Sequence, residues 1–550
     1  MRISPEYLYT LYYKSINTGL MLIMKTPTLQ RLPLGLSAFS RIRQDNCLYV
    51  DKTEHAYNLI TQGYRYFLSR PRRFGKSLLV STLQEILEAN KPLFKDLWIE
   101  KSDYRWHKHG VIMLDLSAIM FTNIEILSSR LCTLLQNNAN RYELNITVHT
   151  TQPDAALEQL VLALRTKFGR VAILVDEYDS PILKNLDKPE QAGAVRDTIR
   201  SFFAAVKSLD VSVDFVFITG VSSFSKAGLF SGMNNLETVT LDKQYATVCG
   251  YTDQEIDHYF TSHIQAWADA KNISYDELRL QIKEWYNGYH FNLDTASVFN
   301  PFSLMNALKI QEFDNFWFAT GTPTFLVKEL EKKYRSTELT MFNLKDFETT
   351  KDDLGIAEIG ETPLVALMFQ TGYLTITGFN QAKKLLILGY PNREVSAALQ
   401  KRLLGLYTRM QTNEIGKFAA DLFYALNQKD IPEIVKLIKS IFVRVSYQEH
   451  IKEEGFYHGL LQVLLGAAGI NATSELSTSH GRIDMVIELP KLIYAIELKF
   501  NKTAQKALQQ IEERKYYEAL THHNKPIVLL GLNFHRKPKD FDVTYASKEI

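Results

Sequence analysis

Residues 66–79 read YFLSRPRRFGKSLL. Tyr66-Phe67-Leu68 has the apolar run of a buried strand, and Leu78-Leu79-Val80 opens an apolar helical pattern. Between them stands Gly75-Lys76-Ser77, the second half of a phosphate-binding loop. In such loops backbone N–H groups and a helix N-terminus cradle phosphates, a lysine reaches the terminal ones, and a hydroxyl ligates Mg²⁺. The general motif has glycine where Arg70 stands, because the turn leaves little room for a Cβ. Here Arg70-Pro71-Arg72-Arg73 makes the first half stiffer and more basic, and Arg73 joins Gly75, Lys76 and Ser77 as a candidate nucleotide contact.

A partner motif lies at residues 170–179, RVAILVDEYD. Residues 171–175 form an apolar run of the kind buried on both faces of a parallel sheet. It ends in Asp176-Glu177. An aspartate at such a strand end can hold a metal with the Ser77 hydroxyl, and the adjacent glutamate can polarise a water for attack on a γ-phosphate. Residues 213–219, VDFVFIT, read as a further strand. Its Thr219 either senses the γ-phosphate or simply ends the strand. Residues 111–117 read as another strand, and residues 77–89, 124–142, 155–168 and 194–209 as helices. This alternation predicts a parallel, doubly wound sheet with its ligands at the carboxyl ends of the strands. ATP and Mg²⁺ are the ligands the pattern calls for. Residues 48–60 read as a short strand and a helix, in a position to lie over the base.

A chain of 550 residues exceeds one core, and about three or four domains are expected. With 46% apolar and 23% charged residues it is an ordinary globular composition. A net charge of +2 argues against a nucleic-acid binder that is basic throughout, so any basic surface is local. Cys47, Cys132 and Cys249 lack metal-ligand spacing and read as buried thiols in a reducing cytoplasm. No stretch has the length and apolarity of a membrane span. Residues 1–30 read as an N-terminal extension without a signal-peptide pattern, and Met24 is an alternative start.

Farther along, residues 251–287 read as helices, ending in the aromatic run Trp285-Tyr286-Asn287-Gly288-Tyr289. That run reads as core packing ahead of a base-stacking platform. Residues 298–311 read as a helix begun at Asn300-Pro301. Residues 364–377 read as a helix and a strand, 384–388 as a partner strand, and 394–442 as helical. The expected division is 31–250 for the nucleotide domain and 251–335 for a helical lid with a winged-helix-like module. A mostly helical connector at 336–445 and a last α/β domain at 446–550 complete it.

The last domain holds a second constellation. Residues 474–500 read SELSTSHGRIDMVIELPKLIYAIELKF, a hairpin with Asp484 on one strand and Glu497 and Lys499 on the next. Glu497 and Lys499 share a face because the side-chain period of a strand is two. Two carboxylates can hold Mg²⁺ through hard oxygens, and a lysine beside them can steady a nucleophile or a developing charge. These are the requirements of phosphodiester hydrolysis.

Taken together, SRPRRFGKS, ILVDEYDSPI, FITGVSSFSKAGLFSGMNNL, GYTDQEI and WYNGYHF resemble the AAA-ATPase-like family of bacterial proteins, whose members carry a C-terminal domain of the PD-(D/E)XK nuclease superfamily. The resemblance runs from about residue 32 to the end. It implies an α/β multidomain fold: a P-loop NTPase sheet, a helical lid, a helical spacer and a nuclease-like domain. It implies nucleotide binding through Gly75, Lys76, Ser77, Asp176 and Glu177, and a nuclease site at Asp484, Glu497 and Lys499. Glu454 and Gln510 are implied as auxiliary positions, and Glu475 belongs to the pattern without a role. The expected activity is an ATPase coupled to a metal-dependent nuclease acting on nucleic acid, DNA ahead of RNA, with oligomerisation left open. The alternative is a nucleotide-operated switch whose last domain binds nucleic acid or protein without cutting.

Overall fold

The computed structural model describes residues 29–117, 119, 123–186, 188–223, 230, 233, 235–321, 347–354, 363–445, 454–470, 472–478, 481–537 and 540–550. The expected extension at 1–30 lies almost wholly outside these residues, Met24 included.

The N-terminal half is built on a five-stranded sheet with the order β2-β3-β4-β1-β5. Its strands are β1 (Arg65–Ser69), β2 (Gly110–Asp115), β3 (Val171–Asp176), β4 (Phe215–Gly220) and β5 (Glu237–Thr238). All neighbours pair in parallel. Between β1 and β4 the chain supplies the helices α1 (Lys76–Leu87), α2 (Ile124–Arg141), α3 (Pro153–Phe168) and α4 (Pro189–Ser208). The period-two alternation of the strands divides the core. Tyr66, Leu68, Leu174 and Phe217 face α1. Phe67, Ile173, Val175 and Ile218 face α2, α3 and α4.

The 48–60 segment differs from expectation. Its helix is present at Thr53–Gln62, but residues 48–50 form no strand. Leu48 N–H donates to Arg31 O at 2.8 Å, and the segment runs as extended cover beside the nucleotide loop rather than in a ladder. An apolar run fixes burial but not pairing.

Next come α5 (Asp253–Tyr259), α6 (Thr261–Lys271), α7 (Tyr275–Tyr286), α8 (Pro301–Ile310) and α9 (Phe316–Gly321). Thr252 and Glu255 form a capping box on α5, and Asn300 caps α8 by accepting from Phe302 and Ser303 N–H. Tyr286 and Tyr289 are buried, so the aromatic run is core and not an exposed stacking platform.

Residues 347–389 hold the small antiparallel sheet β6 (Phe347–Thr349), β7 (Thr375–Asn380) and β8 (Leu385–Gly389), with α10 (Leu364–Thr371) before β7. The helices α11 (Arg393–Thr408), α12 (Thr412–Asn427), α13 (Ile431–Arg444) and α14 (Glu454–Ala467) follow. The second five-stranded sheet comprises β9 (Ala472–Thr478), β10 (Gly481–Glu488), β11 (Ile493–Phe500), β12 (Ile527–Lys537) and β13 (Asp540–Glu549). Its order is β13-β12-β11-β10-β9, with β11 and β12 parallel and the other pairs antiparallel. Residues of α12, α13 and α14 share one core with this sheet, and α11 packs along α14. The helix α15 (Ala504–Arg514) covers the other face.

Candidate nucleotide and nuclease sites

The nucleotide loop is a strand–turn–helix at the carboxyl end of β1. Gly75 caps α1 with φ +96, a conformation that glycine adopts without strain. The other left-handed residue is Arg73, at φ +67. Arg70 is not left-handed, which is how it stands where glycine is usual. Its guanidinium is buried instead, donating to the carbonyls of Ser69 (2.9 Å), Thr240 (2.7 Å) and Tyr245 (2.9 Å) and lying 3.9 Å from the centre of the Phe291 ring. Arg70 thus ties the loop to the turn segment that follows β5.

Among the described residues, the backbone N–H groups of Arg72 to Leu78 meet no acceptor. Successive unpaired N–H groups at a helix start form an anion-binding concavity. Lys76 folds back on the same loop. Its Nζ donates to Arg70 O and Pro71 O, each at 3.2 Å, and lies 3.4 Å from Glu177 Oε1. Arg73 stacks over Phe302 of α8 at 4.8 Å.

The acidic partners sit one strand over from β4, on β3. Asp176 is buried, and burial pushes its carboxyl up to about 6; Glu177 and Asp115 add to the rise, while the Ser77 hydroxyl and Lys76 oppose it. The structure therefore brings Ser77, Lys76, Asp176 and Glu177 together. Glu177 adopts φ +50, a left-handed conformation uncommon for a side chain of this kind. Thr219 is fully buried, and its hydroxyl has no partner among the described residues. It lies on β4, on the α1 side of the sheet, outside the walls of the cavity described next.

A cavity of about 600 Å³ opens beside the loop. Leu36, Tyr49, Val50, Tyr251 and Met305 make an apolar wall, and Arg73, Gly75, Lys76, Ser77 and Glu177 make a polar end. One ligand with a flat apolar part and an anionic tail matches both. The oxygen donors Ser77 and Asp176, in a buried group of carboxylates, fit magnesium. No group of three or more His, Cys, Asp or Glu side chains poised for a metal occurs among the described residues.

In the C-terminal domain, β11 alternates. Ile493, Ala495, Glu497 and Lys499 face α15, while Tyr494, Ile496 and Leu498 face the core shared with α14. Lys499 Nζ donates to Glu497 Oε1 at 2.9 Å and to Leu498 O at 2.9 Å. Gln510, on α15, donates to the same Glu497 oxygen. Asp484 lies one residue beyond the Met485–Ile496 pair, and its Oδ2 accepts from Leu498 N–H at 2.8 Å. Asp484, Glu497, Lys499 and Gln510 are thus gathered at one place, and the carboxylate donors fit a hard divalent cation. Glu454 begins α14, and Glu475 lies on β9; their side chains fall outside the described residues.

Gly531 makes this arrangement possible. It is the β12 partner of Glu497, and a Cβ there would come within 2.5 Å of Ala504 O and 2.6 Å of Leu508 N. Glycine lets α15 lie close enough for Gln510 to reach Glu497.

Two residues near the sites escape sequence reading. Asp179, fully buried, accepts from the N–H groups of Val221 (3.1 Å) and Ser222 (2.6 Å), tying the end of β3 to the end of β4; burial, with Glu177 nearby, raises its carboxyl to about 7. His458 on α14 makes a 2.8 Å hydrogen bond from Nε2 to Asp484 O. Asp179 stood in the quoted DEYD, and its signal was an acidic residue inside an otherwise buried turn. His458 stood one helical turn after Glu454, on the same face.

Residues 33–230 match the AAA-ATPase-like family, described as a predicted AAA-ATPase, and residues 452–541 match the PD-(D/E)XK nuclease superfamily. An uncharacterized protein encoded in the vnfD 5′ region of Azotobacter chroococcum mcd 1 is 36% identical over 521 residues, covering 92% of this chain and 97% of that one. Among solved structures, a Walker-type ATPase of Pyrococcus abyssi is similar at 13% identity and a TM-score of 0.36, over 68% of this chain and 99% of that one. The Orc1 protein of Aeropyrum pernix, solved in complex with DNA, is similar at 11% identity and a TM-score of 0.22, over 69% and 95%. Among the described residues no helix is long and apolar enough to cross a membrane.

Proposed function

Because the chain belongs to the predicted AAA-ATPase family with a C-terminal domain of the PD-(D/E)XK nuclease superfamily, we propose that it binds and hydrolyses ATP at the N-terminal cavity and cleaves nucleic-acid phosphodiester bonds at the C-terminal site. One observation carries this reading. At each site a lysine lies against a carboxylate, Lys76 beside Glu177 and Lys499 beside Glu497.

Ser77 and Asp176 would hold magnesium beside the nucleotide, and Asp484 and Glu497 would hold it in the last domain; bound there, it neutralises phosphate oxygens and makes a water more acidic. The rest is the work of the chain. The N–H groups of residues 72–78 receive phosphate oxygens. Lys76 exchanges its loop carbonyls for the terminal phosphate. Glu177 accepts a proton from the attacking water. Lys499 offsets charge that develops on the phosphodiester, and Gln510 holds Glu497 in place. The two matched regions lie in one chain with a reducing-compartment set of free, buried cysteines, in keeping with a cytoplasmic protein.

The test has two arms on the full chain. ATP affinity is measured for wild type and Lys76→Ala; unchanged binding removes the nucleotide half. Cleavage of DNA, with RNA as the contrasting substrate, is measured with Mg²⁺ or Mn²⁺ for wild type, Lys499→Ala and Asp484→Asn at a temperature where all are folded. Cleavage by wild type alone supports the nuclease half. No cleavage of any substrate by wild type ends it and favours a nucleotide-operated switch.

A further inference from the structure

The first half of the nucleotide loop, Arg70-Pro71-Arg72-Arg73, lacks glycine, yet its backbone must present N–H groups to an anion. The structure holds it from outside. Trp317, fully buried on α9, donates from its indole Nε1 to Arg72 O at 3.0 Å, across 245 residues of sequence. No peptide bond is cis among the described residues. In a trans peptide the C=O and N–H point in opposite directions. Anchoring Arg72 O on the indole therefore turns the Arg73 N–H to the opposite face of the loop. Arg73 is the residue that takes the left-handed conformation and lines the cavity.

Trp317 is itself firmly seated. Its backbone N–H donates to Glu394 Oε1 at 2.6 Å, and its ring packs on Tyr373 with centroids 5.1 Å apart. Glu394 is fully buried in the first turn of α11. Gly372 closes the remaining side, where a Cβ would meet Pro71 Cβ at 2.7 Å and Trp317 Cζ2 at 3.3 Å. Pro71 and Arg72 are thus held by residues 317 and 372, and residue 394 holds Trp317 in turn; all three lie beyond the matched ATPase region.

We propose that Trp317 is a positioning residue for the phosphate site, supplying from the second half of the chain a constraint that sets the conformation of a loop half without glycine. The ligand class is a nucleoside triphosphate, and the inference rests on the nucleotide reading above. The hydrogen bond orients the phosphate cradle and touches neither the base wall nor the lysine. Its loss should therefore act on phosphate binding and spare binding of the base.

The experiment measures affinity of the full chain, with Mg²⁺, for ATP and for adenosine. Trp317→Phe keeps an aromatic ring and deletes the N–H. The expected result is ATP binding weakened about tenfold, the equivalent of one hydrogen bond, with adenosine binding unchanged. Equal weakening of both ligands, or no change in either, overturns the proposal. If Trp317→Phe does not fold, benzothienylalanine at position 317, which replaces the indole N–H by sulfur at nearly equal volume, is judged by the same criteria. Wild type that binds no ATP overturns the nucleotide reading together with this one; wild type that binds ATP, with an unchanged ATP-to-adenosine ratio in the variant, overturns this one alone.

Discussion

Lys499 Nζ stands 2.9 Å from Glu497 Oε1, with both side chains buried on one face of a central strand. Taking one member of such a pair away leaves a charge in a poorly solvating place, at a typical loss of about 3–5 kcal/mol. Lys499→Ala is expected to lose stability on that scale, and the double variant Lys499→Ala/Glu497→Gln to lose less than Lys499→Ala alone. Urea unfolding of the wild type, both single variants and the double variant measures the coupling. Additive losses would show that the two groups do not depend on each other.

Gly531→Ala forces a methyl group against the α15 backbone. The helix must move outward, at about 1–3 kcal/mol of stability. Gln510 then loses its reach to Glu497, so cleavage is expected to fall by more than the lost stability explains when assayed well below the melting temperature. Gln510→Ala should reproduce the loss of cleavage with a smaller loss of stability. A Gly531→Ala protein of full activity would break the link between that glycine and the site.

Gly75→Ala isolates backbone strain. Nothing lies within 4 Å of a Cβ at this position, so no clash contributes, yet φ is +96. A left-handed alanine costs about 1–2 kcal/mol, and Gly75→Asn should cost less because asparagine tolerates this region. Thermal unfolding without nucleotide gives the stability term, and ATP titration shows whether the loop keeps its shape. An alanine variant as stable as wild type contradicts the conformation described.

Glu394 gives a pH signature. Burial raises its carboxyl from 4.5 to about 8, against the opposing effects of the Trp317 N–H and Ser303; Asp314 adds to the rise. Between those two values the folded chain holds a proton that the unfolded chain has released. Stability from this group therefore falls as pH rises through that window and levels off above about 8, with a slope of at most about 1.4 kcal/mol per pH unit. Glu394→Gln cannot ionise. Its melting temperature, relative to wild type, is expected to climb between pH 5 and pH 8. A difference that is flat with pH would show Glu394 to be ionised in the folded protein.

The parts that could be read from sequence are those whose chemistry is local. Gly75-Lys76-Ser77 announces itself by a strand before and a helix after, and Asp176-Glu177 by the apolar run it ends. Asp484, Glu497 and Lys499 share a face by strand period alone. Gln510 was reached through family resemblance, and its bond to Glu497 depends on Gly531, whose neighbours no periodicity reveals. Residues 48–50 have the composition of a strand, but a strand also needs an open edge to pair with. Arg70 read as an obstacle to the loop because its carbonyl partners, Thr240 and Tyr245, are remote in sequence. Trp317 and Glu394 gave no signal, since a tryptophan and a helical glutamate in an apolar setting look like any others until the fold places them.

Glu394 lies in the first turn of α11, and farther along that helix Gln400 fills the groove that Gly466 leaves open on α14, the helix from which His458 reaches Asp484. From the Arg72 carbonyl to the Asp484 carbonyl there is an unbroken train of touching groups. Such a train has no preferred direction. If a nucleotide at one end makes the other end grip its substrate more tightly by some factor, that substrate must tighten the hold on the nucleotide by the same factor.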